Sequence, residues 1–290
     1  MTPHTAIDPA PNRDTVPVFV IGSGRSGTRT IFKLLSGIEG LEIHHEFCCT
    51  HVQPLAALYA MGRIGIDEVT DEMRSLHGAA IDLSDADTWI DCSNKLTWVV
   101  EPLLRLHPRA RFVNLIRDGR KVANSYFHKL PDEMYDDRST AILRRWLDAP
   151  DGTPKPPPEK KYWWNIPIDG MPFAEEFPDF DQFQRAAYHW VESNRVAAES
   201  LAEHVPPDRQ LTLRLEDLVS EPSSLEALCD FVGVPCEDSY AEYLKTPQNV
   251  IYPMDFGLSD DQRFQFAEIA APMMRQLGYD IDAKEYTVVY

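Results

Sequence analysis

Positive charge is scarce in this chain. Among 290 residues, 28 lysines and arginines stand against 46 aspartates and glutamates, a formal charge of −18. Such a surface repels nucleic acid, heparin-like polymers and anionic lipid. A site for a polyanion must therefore be assembled locally, from a few convergent basic groups and backbone amides. Long apolar runs are missing as well. None approaches the ~18–20 residues that span a bilayer, so no integral membrane segment is expected. Cysteine is sparse: Cys48, Cys49, Cys92, Cys229 and Cys236 are odd in number and follow neither a disulfide framework nor paired zinc-ligand spacing. The expectation is reduced thiols in the cytoplasm. Residues 1–15, with a single arginine and no apolar core, do not read as a secretory signal. They are expected to form a flexible tail ahead of one domain over 16–290.

What is present is apolar material for a substantial core, 43% of the chain. Val16 to Ile21 (VPVFVI) and Arg111 to Ile116 (RFVNLI) are nearly continuous apolar runs, the pattern of strands covered on both faces. Leu41–His44, Thr88–Asp91 and Gln210–Leu215 read as further short strands. Helical spacing marks the segment after Gly27, pieces within 52–77, Trp98 to Leu106, the segment from Val122, Phe183 to Leu201, Leu225 to Val232, and Asp260 to Leu277. Strands separated by helices predict an α/β fold with a central parallel sheet. Residues 131–180 differ in kind. Prolines at 150, 154, 156–158, 167, 172 and 178 forbid long regular elements, and Tyr162-Trp163-Trp164 is too aromatic for solvent. Apart from a helix near Thr140–Leu147, this stretch is expected to be an ordered insertion or lid on the acceptor side.

The sharpest motif is Gly22-Ser23-Gly24-Arg25-Ser26-Gly27-Thr28-Arg29-Thr30, between the first strand and the first helix. Glycines permit a tight turn around a ligand, and a helix N-terminus offers amides to an anion. Ser26, Thr28 and Thr30 add hydroxyls, and Arg25 a charged fork. A Walker A loop would need lysine where Thr28 stands. The dinucleotide fingerprint G-x-G-x-x-G is met by Gly22, Gly24 and Gly27, and the acidic residue it requires has a candidate near Glu46. The loop resembles the 5′-phosphosulfate loop of sulfotransferases, through Arg25-Ser26-Gly27-Thr28. That resemblance implies a P-loop-like sulfotransferase fold and 3′-phosphoadenosine-5′-phosphosulfate (PAPS) as cofactor, leaving adenosine 3′,5′-bisphosphate (PAP) as product. Gly24 through Thr30 would cradle the 5′ end. Arg29 stands where many members carry a second hydroxyl residue.

A second segment is similar to the same family. Arg117 follows the strand FVNLI and Ser125 lies eight residues on, the spacing with which sulfotransferases hold the cofactor's 3′-phosphate. Arg120 and Lys121 are expected on the solvated helix surface. Asp91-Cys92-Ser93-Asn94-Lys95, Arg214-Leu-Glu216-Asp217-Leu218 and Phe231-Val232-Gly233-Val234-Pro235 resemble further family segments. Together these cover most of residues 17 to 280. Glu216 and Asp217 are expected to be structural.

In-line transfer needs the charge on the moving group and the departing phosphate to be stabilised. Arg25 and the loop amides are candidates, and Lys95 is another. The acceptor hydroxyl also needs a base. Thr97 occupies the place of the base histidine in cytosolic-type sulfotransferases. The resemblance to carbohydrate- and protein-tyrosine-type members instead implies Glu46, with His45 and then His44 as alternatives. Consecutive residues of an extended chain point to opposite faces, so His44-His45-Glu46 is not expected to hold a metal. The acceptor is expected to be a small molecule, a lipid headgroup or a glycan hydroxyl. A P-loop nucleotide kinase or NTPase, and a nucleotide-binding module without catalysis, are the competing readings.

Overall fold

Continuous apolar runs need cover on both sides, and the computed structural model, which describes residues 15–245 and 257–283, supplies it. The strands are β1 Val16–Ile21, β2 Leu41–His45, β3 Thr88–Cys92, β4 Arg111–Ile116 and β5 Gln210–Arg214. They form one five-stranded sheet, order β2-β3-β1-β4-β5, with every pairing parallel. The helices are α1 Thr28–Leu35, α2 Cys49–Ala60, α3 Ile66–Met73, α4 Ala79–Asp82, α5 Val100–Leu106 and α6 Gly119–Lys129. They continue with α7 Asp137–Asp148, α8 Gln182–His204, α9 Leu215–Ser220, α10 Pro222–Val232, α11 Asp238–Leu244 and α12 Asp260–Gln276.

Alternation along β1 divides the core. Val18 and Val20 pack with Ile31 of α1, Leu228 of α10 and Leu244 of α11, whereas Phe19 and Ile21 pack with Val52 of α2, Met73 of α3, Leu103 of α5 and Leu201 of α8. β1 lies between β3 and β4, and the chain leaves β1 for β2 on one side while β3 crosses to β4 on the other. The carboxyl end of β1 is thus a topological switch point, where parallel sheets open a crevice for ligands. Both motif loops, after β1 and after β4, emerge there.

Residues 131–180 fold onto the core. Tyr162, Trp163, Ile166 and Phe177 join a third apolar cluster with Val122 of α6, Leu143 of α7, Phe183 of α8 and Phe266 of α12. Helix α7 is longer than the proline pattern allowed for, because Asp136 caps it by accepting from the Ser139 amide at 2.9 Å.

Residues 1–14 of the expected tail lie outside the described residues; Thr15 is buried, its Oγ1 donating to the Ala86 carbonyl at 2.8 Å. The helix expected from Trp98 begins at Val100, since Asn94–Trp98 form a 3-10 turn. The expectation for Arg120 was wrong. It is buried, pairs with buried Asp118 at 2.7 Å, and donates to the Ile281 and Ala283 carbonyls at 3.2 and 3.0 Å. The returning chain at 281–283 covers a helix face that the local pattern left to solvent. Lys121 is half-buried.

Candidate active site

The loop after β1 is held in a conformation that side chains resist. Gly22, Gly24 and Gly27 have φ of 150°, 71° and 105°, and Arg25 itself sits at 52°. A Cβ on Gly24 would run into the Tyr126 hydroxyl and the Asn94 amide. Left-handed backbone at a non-glycine residue costs ~1–3 kcal/mol and persists where the surroundings enforce it. The enforcement is visible. Tyr126 donates to the Ser23 carbonyl at 2.8 Å, and Thr97 grips Gly22 from both sides, its Oγ1 3.0 Å from the amide and 3.0 Å from the carbonyl. Thr97 is therefore occupied in holding the loop. Gly27 caps α1 without a side chain, so no side-chain acceptor occupies the helix's first amides. Ser26 is buried, its Oγ 2.7 Å from Ser23 Oγ and 3.3 Å from the Gly24 carbonyl; Thr28 and Thr30 are buried in the first turn of α1, and Arg29 is exposed.

The second anchor meets this loop. Arg117 Nη1 donates to the Arg25 carbonyl at 2.9 Å, and Arg25 Nε donates to Ser125 Oγ at 3.0 Å. Arg25 thus shares one wall of the crevice with residues 92 and 100 positions further along the chain. Lys129, at the end of α6, joins them electrostatically. Burial first, then the charges of Arg25 and Arg117, lowers its ammonium to about 8. In so acidic a protein these cations form a local basic patch.

Glu46 follows β2 in a left-handed turn, φ 55°. The turn is fastened by Asp91, whose Oδ1 accepts from the Phe47 amide at 3.1 Å while Oδ2 lies 3.0 Å from His77 Nε2. Glu46 then reaches two ammoniums: Oε1 pairs with Lys95, and Oε2 lies 2.7 Å from Lys160 of the insertion. Burial alone would raise the carboxyl, but the charge of Lys95 and hydrogen bonds from both lysines outweigh it and bring it to about 2. Lys95 is 6% exposed and also donates to Asn94 Oδ1 at 2.8 Å. Burial lowers it, against the pull of Glu46.

The two histidines part company, as strand geometry requires. His44 turns to Glu42, 2.9 Å away, and to the rings of Phe47 and Trp89. His45 lies against Phe32 of α1, and burial lowers its pKa. Glu46, not either histidine, pairs with Lys95 and Lys160.

Beside Lys95 opens a narrow pocket walled by Trp98, Trp163 and Trp164, with Gln53, Asn165 and His189 among its lining. Burial drives His189 down to about 4, so its ring is neutral. Its Nε2 is 2.9 Å from the Ser23 carbonyl and must carry the proton, and Nδ1 faces the Tyr135 hydroxyl at 3.2 Å. This histidine braces the loop through Nε2, and the Tyr135 hydroxyl beside Nδ1 donates to the Asn165 carbonyl at 2.6 Å. Lys129, Lys160, Gln53, Asn165 and His189 escaped the sequence reading. The pairing of Lys160 with Glu46 spans 114 positions and leaves no local pattern.

A parallel α/β fold with a glycine-rich loop after β1 and an arginine-bearing turn after β4 is the class these features define. Solved structures similar to this chain are sulfotransferases. One is from Alicyclobacillus acidocaldarius, 12% identical over 91% of this chain and 96% of that chain, TM-score 0.47. Another is the sulfotransferase domain from the Synechococcus PCC 7002 olefin synthase, at 16% identity, 91% and 95% coverage and TM-score 0.45. A third is mouse sulfotransferase SULT7A1 complexed with PAP, at 12% identity, 91% and 85% coverage and TM-score 0.44. No protein-family model and no curated protein matches the chain. Among the described residues, no helix is long and apolar enough to cross a membrane.

Proposed function

We propose that the protein is a sulfotransferase that uses PAPS, with Glu46 as the base toward an acceptor hydroxyl. The observation that carries this reading is the contact of Arg25 with both Ser125 and Arg117, which closes two distant phosphate-type motifs into one basic wall. The donor set suits the cofactor: uncapped α1 amides and Arg25 for the 5′ end, Arg117 and Ser125 for the 3′-phosphate. When bound, PAPS supplies the sulfuryl group, whose bond to the phosphate oxygen breaks as one to the acceptor oxygen forms. Arg25 and the loop amides hold negative charge at the departing side. Lys95, paired with Glu46, is placed to hold charge on the transferring group, and Glu46 takes the acceptor's proton on a carboxylate oxygen. Any anion brought to Lys95 competes with Glu46 for the ammonium. Losing that partner raises the buried carboxyl and makes it a stronger base. The 131–180 insertion forms the acceptor side and excludes water, with Trp163 and Trp164 beside the reacting groups.

Calorimetry against PAP, ATP with magnesium, and NAD tests the reading. Binding of PAP well above the other two is expected; tighter binding of ATP or NAD overturns it. A pH dependence follows from Lys129. Protonated at neutral pH, it loses its charge as pH rises through about 8. Affinity for PAP should therefore fall between about pH 7 and about pH 9, and binding in that window should draw a proton onto the protein. Titrations in two buffers of different ionisation enthalpy read that uptake, and Lys129→Met should abolish it.

A further inference from the structure

Between α3 and α4 the chain winds as a π turn, Arg74–Gly78, which carries His77 into the core. Such turns are rare and recur at functional sites. His77 and Asp91 are both 0% exposed. Three aromatic rings surround the imidazole: Phe19, Phe47 and Trp89, with centroids 6.2, 5.2 and 5.7 Å away. A hydrocarbon ring would suit this cage better, because His77 Nδ1 has no hydrogen-bond partner among the described residues and a buried polar atom left unpaired is destabilising. What the imidazole provides is one contact, Nε2 to Asp91 Oδ2 at 3.0 Å. A carboxylate only accepts, so Nε2 carries the proton.

A buried carboxylate needs donors on both oxygens. Asp91 has the imidazole on Oδ2 and the Phe47 amide on Oδ1, at 3.1 Å. That amide belongs to the peptide leaving Glu46. Glu46 is tied elsewhere as well: its own amide donates to the Cys92 carbonyl at 3.2 Å, and its carbonyl accepts from the Cys49 amide at 3.1 Å. Its φ of 55° is a left-handed conformation that a glutamate keeps only under constraint. Relaxing that backbone would swing the side chain away from the ammoniums of Lys95 and Lys160, which it now meets. Lys95 lies four residues beyond Asp91, so the end of β3 leads to both the anchor of the turn and the partner of the carboxylate.

We propose that His77 is a positioning residue for Glu46: through Asp91 it holds the peptide that follows Glu46, and so keeps the carboxylate between Lys95 and Lys160. Its importance for turnover rests on the reading of Glu46 as the base. The positioning itself is argued from the buried contacts alone, and the test reads it without an acceptor.

Protein labelled with carbon-13 at its glutamate carboxyls is followed by NMR from about pH 5 to about pH 8, the Glu46 resonance being the one lost in Glu46→Gln. Lys95 and Lys160 touch this carboxylate, and Arg25, His45 and Tyr126 act on it electrostatically. Held at about 2, it should not titrate in that window in the wild-type protein. His77→Phe keeps a ring in the cage and removes the donor. Glu46 should then lose its lysines, its pKa should rise, and its resonance should begin to shift below ~pH 6. His77→Gln, whose Nε2 can donate to Asp91, should restore the flat profile. A flat profile in His77→Phe, or no rescue by His77→Gln, overturns the inference. His77→Leu is a second variant without the donor. If neither it nor His77→Phe folds, the donor serves the scaffold and the inference falls. PAP affinity, set by a wall that His77 does not touch, should stay within ~2-fold in the folded variants, and a larger loss also counts against it. Failure of PAP to bind the wild-type protein removes the sulfotransferase reading, while the Glu46 profile still decides the positioning.

Discussion

Glu46→Gln should leave the affinity for PAP within ~2-fold and lower turnover ~100-fold or more, the range in which a general base contributes. The substitution keeps the shape, but its single amide oxygen can accept from only one of Lys95 and Lys160, and an amide cannot take the acceptor's proton. The pH profile adds a second readout. With its carboxyl at about 2 in the unliganded protein, Glu46 stays ionised far below neutrality. The acid limb of kcat/KM, which reports the free enzyme, should therefore not appear in the ordinary carboxylate range. The groups facing it are Lys95 and Lys160 in contact, with His45 and Arg25 coupled to it electrostatically. Lys160→Met removes one of the two contacting ammoniums. The carboxylate then loses stabilisation, its pKa rises, and the acid limb should move to higher pH, with Lys160→Arg restoring it. Glu46→Gln with undiminished turnover would refute the assignment, and an unmoved limb in Lys160→Met would remove the lysine from the mechanism.

Much of the scaffold was legible because its strands are buried on both faces, which writes a continuous apolar run into the chain. Val16–Ile21 and Arg111–Ile116 were read at their observed bounds for this reason. The loop after β1 was legible because glycine at 22, 24 and 27 answers a backbone demand that no other residue meets cheaply. The surroundings of Glu46 and Lys95 were not. Gln53, Lys160, Asn165 and His189 come from separate parts of the chain, and only tertiary packing of a proline-rich stretch brings them to those two residues. Arg120 shows the same limit in reverse. Helical periodicity assigns it to solvent, and the contact that buries it lies 161 residues away. The Glu46 turn combines both cases: its left-handed backbone has no signature in Glu-Phe-Cys, because it is imposed by Asp91 and His77 from below.

The basic wall makes the other large prediction. Arg117→Ala should weaken PAP binding ~100-fold, the size of a lost charge-assisted contact to phosphate. A fall in affinity alone would not locate the phosphate, because Arg117 has two structural links: Nη1 supports the Arg25 carbonyl, and its own carbonyl accepts from Trp190 at 3.0 Å. Trp190 is buried and packs on Phe266 of α12, so the backbone link survives truncation of the side chain. The prop under Arg25 does not. Adenosine 5′-monophosphate, which lacks the 3′-phosphate, separates the two effects. If Arg117 holds that phosphate, the wild-type protein prefers PAP over the monophosphate and the variant loses most of the preference, the monophosphate weakening only by what the lost prop costs. If Arg117 only props the loop, both nucleotides weaken together and the preference survives. Ser125→Ala should reduce the same preference by a smaller factor, since its hydroxyl is neutral and already engaged by Arg25. The ratio of the two affinities, rather than either alone, decides whether the wall formed by Arg25, Arg117 and Ser125 reads a second phosphate.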